Sequence, residues 1–147
     1  MKPFIRTFMP DFRPMRGESF DFDMLDFNAI QKLPYRSGVY VIVSKKKPYF
    51  IYPNGKSPII YIGQSSKLKQ RLTDHYKALV EVSKPESENL WYSSRYQFMR
   101  HFGAHVYIFY CLKNQDPKDL ESRFLWSFYY KFHSIPFGNG ARSFQNS

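Results

Sequence analysis

The runs SGVYVIV, residues 37–43, and IIYIGQS, residues 59–65, decide the fold of this chain. Both are rich in β-branched and aromatic side chains, which favour strands at 38–43 and 59–62. Between them, residues 53–55 read Pro-Asn-Gly, which is a strong turn signal. The sequence therefore predicts an antiparallel hairpin or meander.

Other elements are predicted from apolar spacing, capping residues and chain breakers. They are a short helix within residues 24–33 stopped by Pro34, a short strand at 49–52, a helix capped by Ser65 or Ser66, a helix within 88–102 ended by Gly103, a strand at 105–112, and a helix capped by Asp116. This order predicts an α/β (α+β) fold with a small central antiparallel β-sheet flanked by helices.

A length of 147 residues, with 43% hydrophobic and 20% aromatic residues, predicts one domain with its own core. We assign residues 1–30 to an N-terminal arm and the start of the short helix, and residues 31–147 to the main domain. No apolar run reaches the roughly 18 residues that cross a bilayer, and the first residues lack the apolar segment of a signal peptide. We therefore expect a protein that is neither membrane-bound nor secreted, in the cytoplasm, nucleoid or nucleus.

Charge is strongly biased toward the middle of the chain. The net charge is +10, and residues 31–85 carry eleven Lys and Arg against only Asp74 and Glu81. A basic field attracts polyanions, so nucleic acid is the expected partner, although a solvated basic face is the plainer alternative. The single Cys111 excludes an internal disulfide and a multi-cysteine metal site.

The helix predicted after Ser65 has two distinct stripes. Leu68 and Leu72 lie on its apolar stripe, whereas Lys67, Arg71 and His75, each four residues apart, line up along one edge. Taken alone, an arginine here is an ordinary exposed residue and a histidine is more often structural. Their spacing becomes informative only together with the other motifs of the chain.

The ordered pattern, spread over about 100 residues, resembles the GIY-YIG nuclease family, which includes the amino-terminal nuclease domain of the excision-repair incision subunit. The resemblance rests on Ser37-Gly38-Val39-Tyr40, Tyr61-Ile62-Gly63-Gln64-Ser65, Leu68, Arg71-Leu72, His75, Glu121 and Asn139. Two features depart from compact members, because the tyrosines are 21 residues apart and Asn139 follows Glu121 by 18 residues.

The resemblance implies a metal-dependent DNA endonuclease that leaves 5′-phosphate and 3′-hydroxyl ends. Glu121 would bind Mg²⁺ (or Mn²⁺), a hard cation that prefers carboxylate oxygen, and Arg71 would contact the scissile phosphate. Tyr40 would act as the base or orient the water, with Tyr61 as its hydrogen-bonding partner. His75 would polarise or deprotonate Tyr40 or the water, and Asn139 would orient the edge of the active site.

DNA contacts are expected from lysines in two places. Those in the insertion between the signature strands are Lys45, Lys46, Lys47 and Lys56, and those near the start of the following helix are Lys67 and Lys69. Basic and aromatic residues at 92, 95, 96 and 100 are further candidates, although packing explains the tyrosines equally well.

Two alternatives to an active nuclease remain. One is a catalytically silent nucleic-acid-binding module with the same fold, and the other is a structural or protein-binding domain. For an active nuclease, sequence specificity is expected to be low, or to be supplied by a homodimer or a partner protein.

Overall fold

The computed structural model describes residue 8 and residues 19–46, 49–84 and 94–139. Its elements are β1 (Ser19–Asp23), α1 (Phe27–Gln31), β2 (Gly38–Val43), β3 (Phe50–Tyr52), β4 (Gly55–Ser57), β5 (Ile59–Ser65), α2 (Leu68–Val82), α3 (Ser94–Phe102), β6 (His105–Tyr110) and α4 (Pro117–Phe132). Within these ranges no helix is long and apolar enough to cross a membrane.

The central sheet has four antiparallel strands in the order β1-β6-β2-β5, which confirms the predicted α+β architecture. Tyr40 on β2 lies opposite Gly63 on β5 and opposite Ile108 on β6. The residues that separate the two signature tyrosines form a second, two-stranded sheet from β3 and β4. The long insertion is therefore ordered structure over its described part.

Helices cover both faces of the sheet. Successive residues of β2 point to opposite faces, so Tyr40 and Val39 serve different layers. On one face, Phe109, which lies opposite Val39, contacts Phe124 of α4 with ring centroids 5.4 Å apart. On the other face the Tyr40 ring contacts His75 of α2.

Gly63 is required by the close approach of two aromatic rings. A Cβ atom at this position would lie 2.4 Å from Cζ of Tyr40 and 2.6 Å from Cε1 of Tyr61. Such distances are far below van der Waals contact, so a side chain here would displace both tyrosines. The glycine of the Tyr-Ile-Gly run is thus explained by the packing of the tyrosines themselves.

Two predictions near the helix starts are corrected. Residues 19–23 form β1, which pairs with β6, whereas the short helix occupies only Phe27–Gln31, with Asp26 as its cap. At α2 the cap residue is Lys67, without a side-chain cap, because β5 continues through Ser65. The Ser65 hydroxyl instead accepts a hydrogen bond from the Lys67 backbone N–H at 2.9 Å.

Candidate active site

An open cleft of about 850 Å³ lies where the end of β5 meets the first turns of α2 and α4. It is lined by Tyr61, Gln64, Ser65, Ser66, Arg71, Asp116, Pro117, Lys118 and Glu121. Three of the six predicted catalytic residues, namely Tyr61, Arg71 and Glu121, thus line one cavity. They come from three different elements.

Tyr40 lies behind this cleft and is 0% exposed, as is His75. The Tyr40 hydroxyl oxygen is 2.6 Å from Nε2 of His75, and the Tyr40 and Tyr61 ring centroids are 5.7 Å apart. Burial raises the pKa of Tyr40 well above its ordinary value, and the neighbouring Tyr61 raises it further, whereas Arg71 lowers it. The raised pKa favours the protonated phenol.

Arg71 connects the buried pair to the cleft. Burial lowers the pKa of its guanidinium, but the adjacent Tyr40 and Tyr61 hydroxyls raise that pKa by more, so the group stays charged. A guanidinium is a fork of donors that matches a phosphate. Its position therefore permits contact with an anion in the cleft and with the Tyr40 oxygen behind it.

His75 is held as a neutral imidazole. Burial lowers its pKa to about 3, and the positive charges of Arg71 and Arg95 act in the same direction. Its second nitrogen, Nδ1, is 2.7 Å from the hydroxyl oxygen of Tyr96. A neutral imidazole has one donor and one acceptor, so both nitrogens have a partner here.

Protonation of His75 is expected to make folding stability depend on pH. Its pKa is about 3 in the fold and 6.5 in the unfolded chain, so the unfolded chain binds more protons between these values. The stability that neutral His75 contributes is thus complete above pH 6.5 and is lost as pH falls toward 3, by at most about 1.4 kcal/mol per pH unit. In urea melts, the stability advantage of wild type over His75→Gln should shrink as pH falls. A constant advantage would contradict this, and the exposed His101→Gln variant is the control.

Glu121 presents a half-buried carboxylate on the wall of the cleft. Burial raises its pKa to about 7, and among the described residues no hydrogen bond or ion pair involves its carboxylate. Asp116, on the same wall, is already used as the cap of α4, where it accepts a hydrogen bond from the Lys118 backbone N–H at 2.9 Å. A partly desolvated carboxylate without a cation is well suited to bind a hard divalent ion. Residues 19–46, 49–84 and 94–139 hold no group of three or more metal-ligating side chains, so water and substrate would have to supply the other ligands.

Asn139 lies on the outer edge of β5 rather than in the cleft. Its Oδ1 accepts a hydrogen bond from the Ile62 backbone N–H at 3.0 Å, and its Nδ2 donates to the Ile62 carbonyl at 2.8 Å. Beside it, the Gly138 N–H donates to the Ile60 carbonyl at 2.6 Å. The amide thus pairs with an otherwise open strand edge and holds the backbone next to Tyr61.

Replacing Asn139 by Asp is expected to destabilise the fold by about 1–3 kcal/mol, because a carboxylate cannot donate to the buried Ile62 carbonyl. Chemical denaturation of both proteins measures the difference. The exposed Asn114→Asp variant is the matched control for added charge. Equal stability of Asn139→Asp and wild type would contradict the two-point pairing.

The lysines predicted to contact DNA lie in different places. Lys45 pairs with Asp23, and Lys46 donates to the His101 carbonyl at 2.8 Å; both follow the end of β2 that is opposite the cleft. Lys56 is exposed on β4, and residue 47 lies outside the described residues. Of the five that the structure describes, Lys67 and Lys69 adjoin the cleft. They line a neighbouring pocket of about 370 Å³ together with Ser66, which lines both cavities.

Helix α3 contributes two site residues that the sequence indicated only as candidate DNA contacts. The Arg95 guanidinium stacks 4.1 Å from the Tyr61 ring centroid and donates from Nε to the Gly138 carbonyl at 3.1 Å. The hydroxyl group of Tyr96 forms the hydrogen bond with Nδ1 of His75 that is described above. Residue 92 lies outside the described residues. No spacing signal links α3 to the signature strands, because these contacts join residues far apart in the chain.

A comparison with curated proteins finds 44% identity over 55 residues with the UvrABC system protein C of Fervidobacterium nodosum. The matched segment spans 37% of this chain and 8% of that protein. No family model matches the chain. No solved structure matches it either.

Proposed function

We propose that this protein is a metal-dependent DNA endonuclease of the GIY-YIG type, which hydrolyses phosphodiester bonds to 5′-phosphate and 3′-hydroxyl ends. The observation that carries the proposal is the convergence of Tyr61, Arg71 and Glu121 on one open cleft, backed by the buried Tyr40–His75 pair. The partial similarity to a UvrABC system protein C supports it, because the family resemblance extends to excision-repair incision subunits.

Arg71 is the phosphate-binding group of this proposal. Its charge is permanent, and it lies between the cleft and the Tyr40 hydroxyl. During hydrolysis, negative charge builds on the phosphoryl oxygens. A preorganised guanidinium therefore stabilises the transition state more than it stabilises the bound substrate. Arg71 would also favour the phenolate form of Tyr40, because the same positive charge lowers the pKa of that hydroxyl.

Glu121 is the residue that would hold Mg²⁺ or Mn²⁺. The fit rests on a carboxylate whose pKa is raised by burial and which faces a cleft with room for water and substrate. When bound, the cation supplies Lewis-acid stabilisation of the phosphoryl and leaving oxygens. Besides Glu121, the chain supplies Arg71 and Tyr61 to the lining of the same cleft.

A catalytically silent DNA-binding module is the second candidate. The observation in its favour is the burial of Tyr40, which keeps the phenol protonated and away from the cleft surface. Against it stands the raised pKa of Glu121, since a pure binding module gains nothing from a desolvated carboxylate facing an anionic ligand.

Incubation of the purified protein with supercoiled plasmid separates these candidates. Nicked or linear DNA is expected with Mg²⁺ or Mn²⁺, and none with a chelator. The Glu121→Gln protein, prepared in the same way, controls for contaminating nucleases. Plasmid that is retarded in a gel but stays uncut with either cation would favour the silent module. End-labelling of the products tests for 5′-phosphate.

Lys67 and Lys69 are proposed as phosphate contacts beside the cleft. Each neutralised phosphate contributes close to one unit to the slope of log K against log salt, so the Lys67→Ala/Lys69→Ala variant should flatten this slope by about two units. The Lys45→Ala/Lys46→Ala variant removes the same charge, yet it should change the slope less, because both lysines already have partners within the chain. Binding isotherms at several salt concentrations decide this. If the Lys45→Ala/Lys46→Ala variant changes the slope more, the DNA must bind at the end of the sheet that is opposite the cleft.

We also propose that a homodimer or a partner protein supplies sequence specificity. The proposed location is the cytoplasm, nucleoid or nucleus. Gel filtration with and without a DNA duplex tests the dimer.

A further inference from the structure

A second pocket lies beside the cleft, between the start of α2 and the loop that precedes β2. It is lined by Tyr35, Ser66, Lys67, Lys69 and Gln70. Because Ser66 also lines the cleft, the two cavities are adjacent. Two of the lining residues are lysines, and none of those that the structure describes there is acidic. The pocket therefore favours an anionic group of a ligand that extends from the cleft.

Tyr35 gives this pocket an aromatic surface that is open to water. The residue is 89% exposed, although Nζ of Lys69 lies 4.8 Å from the centroid of its ring. The ammonium group covers only one face of the ring, so the opposite face is open. Open aromatic rings beside basic side chains bind nucleobases by stacking, because every base has a flat π-face.

The backbone on both sides of Tyr35 is anchored before any ligand binds. The Arg36 carbonyl accepts a hydrogen bond from the Leu68 N–H at 3.1 Å, which ties the loop to the first residue of α2. The Ser37 carbonyl accepts one from the Cys111 N–H at 3.0 Å, just after β6. Little backbone freedom is therefore lost when a ligand stacks on the ring.

The size of the pocket favours a single nucleotide over a duplex. Its volume of about 370 Å³ is near the lower end of the roughly 300–1,000 Å³ that is typical of small-molecule sites. A base inside a duplex has both faces covered by its neighbours, so only a base that has left the stack can place a face on Tyr35.

The position of the pocket matches that of a neighbour of the scissile phosphate. Lys67 and Arg71 lie on the same edge of α2, four residues and therefore about 6 Å apart along its axis. A strand whose phosphate contacts Arg71 in the cleft can thus place an adjacent phosphate at Lys67.

We propose that this pocket is a subsite for one unpaired nucleotide of the cleaved DNA strand, with its base stacked on Tyr35 and its phosphate bound by Lys67 and Lys69. The inference rests on the proposed nuclease function and names its substrate class, which is DNA with an unpaired nucleotide beside the scissile phosphate. In a fully paired duplex a base would first have to leave the stack, and this step lowers the affinity.

Equilibrium binding in the presence of a chelator tests the subsite without cleavage. The probes are two labelled DNA duplexes that differ only in a single bulged nucleotide. Wild type is expected to bind the bulged duplex more tightly. Tyr35→Ala should bind the bulged duplex about fivefold to a hundredfold more weakly than wild type, which is the usual contribution of one stacked base, and the paired duplex equally well. Tyr35→Phe keeps the ring and should behave like wild type.

Fluorescence of the bulged base reports the stacking directly. With 2-aminopurine at the bulge, the bound duplex should fluoresce less with wild type than with Tyr35→Ala, because stacking on a ring quenches this base. Equal fluorescence of the two complexes would overturn the stacking.

Tyr130→Ala is the matched control, because Tyr130 is a tyrosine with 71% exposure that lines neither cavity. It should keep the preference of wild type for the bulged duplex. Equal affinity of wild type for both duplexes would overturn the subsite, as would a preference that survives in Tyr35→Ala or is lost in Tyr35→Phe. If wild type prefers the bulged duplex but cuts no DNA with either cation, the nucleotide site is supported and the proposed nuclease function is overturned.

Discussion

Replacing Arg71 by Ala or Glu121 by Gln is expected to lower the rate of DNA cleavage about a hundredfold or more and to leave the fold intact. Each change removes a contact to charge that develops in the transition state, and such a contact typically contributes roughly 3 kcal/mol. Both side chains face the same cleft. Single-turnover rates on a labelled duplex measure the loss. Lys118→Ala is the control, since it also lines the cleft but has no assigned role.

Glu121→Gln should also change stability in a direction that depends on pH. The folded pKa of Glu121 is about 7, above its ordinary value of 4.5, so its contribution is complete below pH 4.5 and is lost as pH rises through 7. In chelator at pH 8, the glutamine variant should therefore melt higher than wild type, and this gain should vanish near pH 4.5. Added Mg²⁺ should stabilise wild type only.

Near-wild-type cleavage by either variant would remove the proposed active site. If a variant loses both cleavage and the circular dichroism spectrum of the folded protein, the effect is structural instead. Circular dichroism of each variant distinguishes the two outcomes.

Replacing Tyr40 by Phe should abolish most cleavage and preserve DNA binding. The change deletes one hydroxyl, whereas the ring still packs beside Tyr61 and over Gly63. A general base typically contributes about a hundredfold to ten-thousandfold, which sets the expected loss. The deletion also leaves Nε2 of His75 without its partner, which should cost about 1–3 kcal/mol of stability.

Cleavage and binding must be measured on the same preparation. Tyr107→Phe on β6 is the control, because Tyr107 is partly buried and does not line the cleft. Normal cleavage by Tyr40→Phe would make this tyrosine a core residue. A water molecule or His75 would then have to carry out the proton transfer.

The elements that the sequence predicts correctly are those with a strong local signal. β2 and β5 are dense in β-branched and aromatic residues, and α4 begins at an Asp-Pro pair whose cap the structure confirms. The strand β1 is not predicted from the sequence. Within the described part of the chain β1 pairs with β6, more than 80 residues away, and no local pattern indicates such a pairing.

By itself, the sequence determined the composition of the candidate site. Spacing along α2 aligned Arg71 and His75 on one edge, and the ordered motif added Tyr40, Tyr61 and Glu121. The alignment of Arg71 and His75 depends on the helical period, which is a local property of the chain. Tyr40, Tyr61 and Glu121 come instead from the resemblance of the ordered motif to GIY-YIG nucleases. Tyr61 and Arg71, which lie on the consecutive elements β5 and α2, both line the cleft.

Only the tertiary structure decided which of these side chains are exposed to water and which groups they form hydrogen bonds with. Tyr40 is buried, Lys45 pairs with Asp23, and α3 brings Arg95 and Tyr96 against Tyr61 and His75. Burial and partners depend on contacts between elements that are distant along the chain, and these contacts set the pKa values of the same side chains. The chemistry of each residue type is encoded locally, but its protonation state and access to the cleft are set by packing.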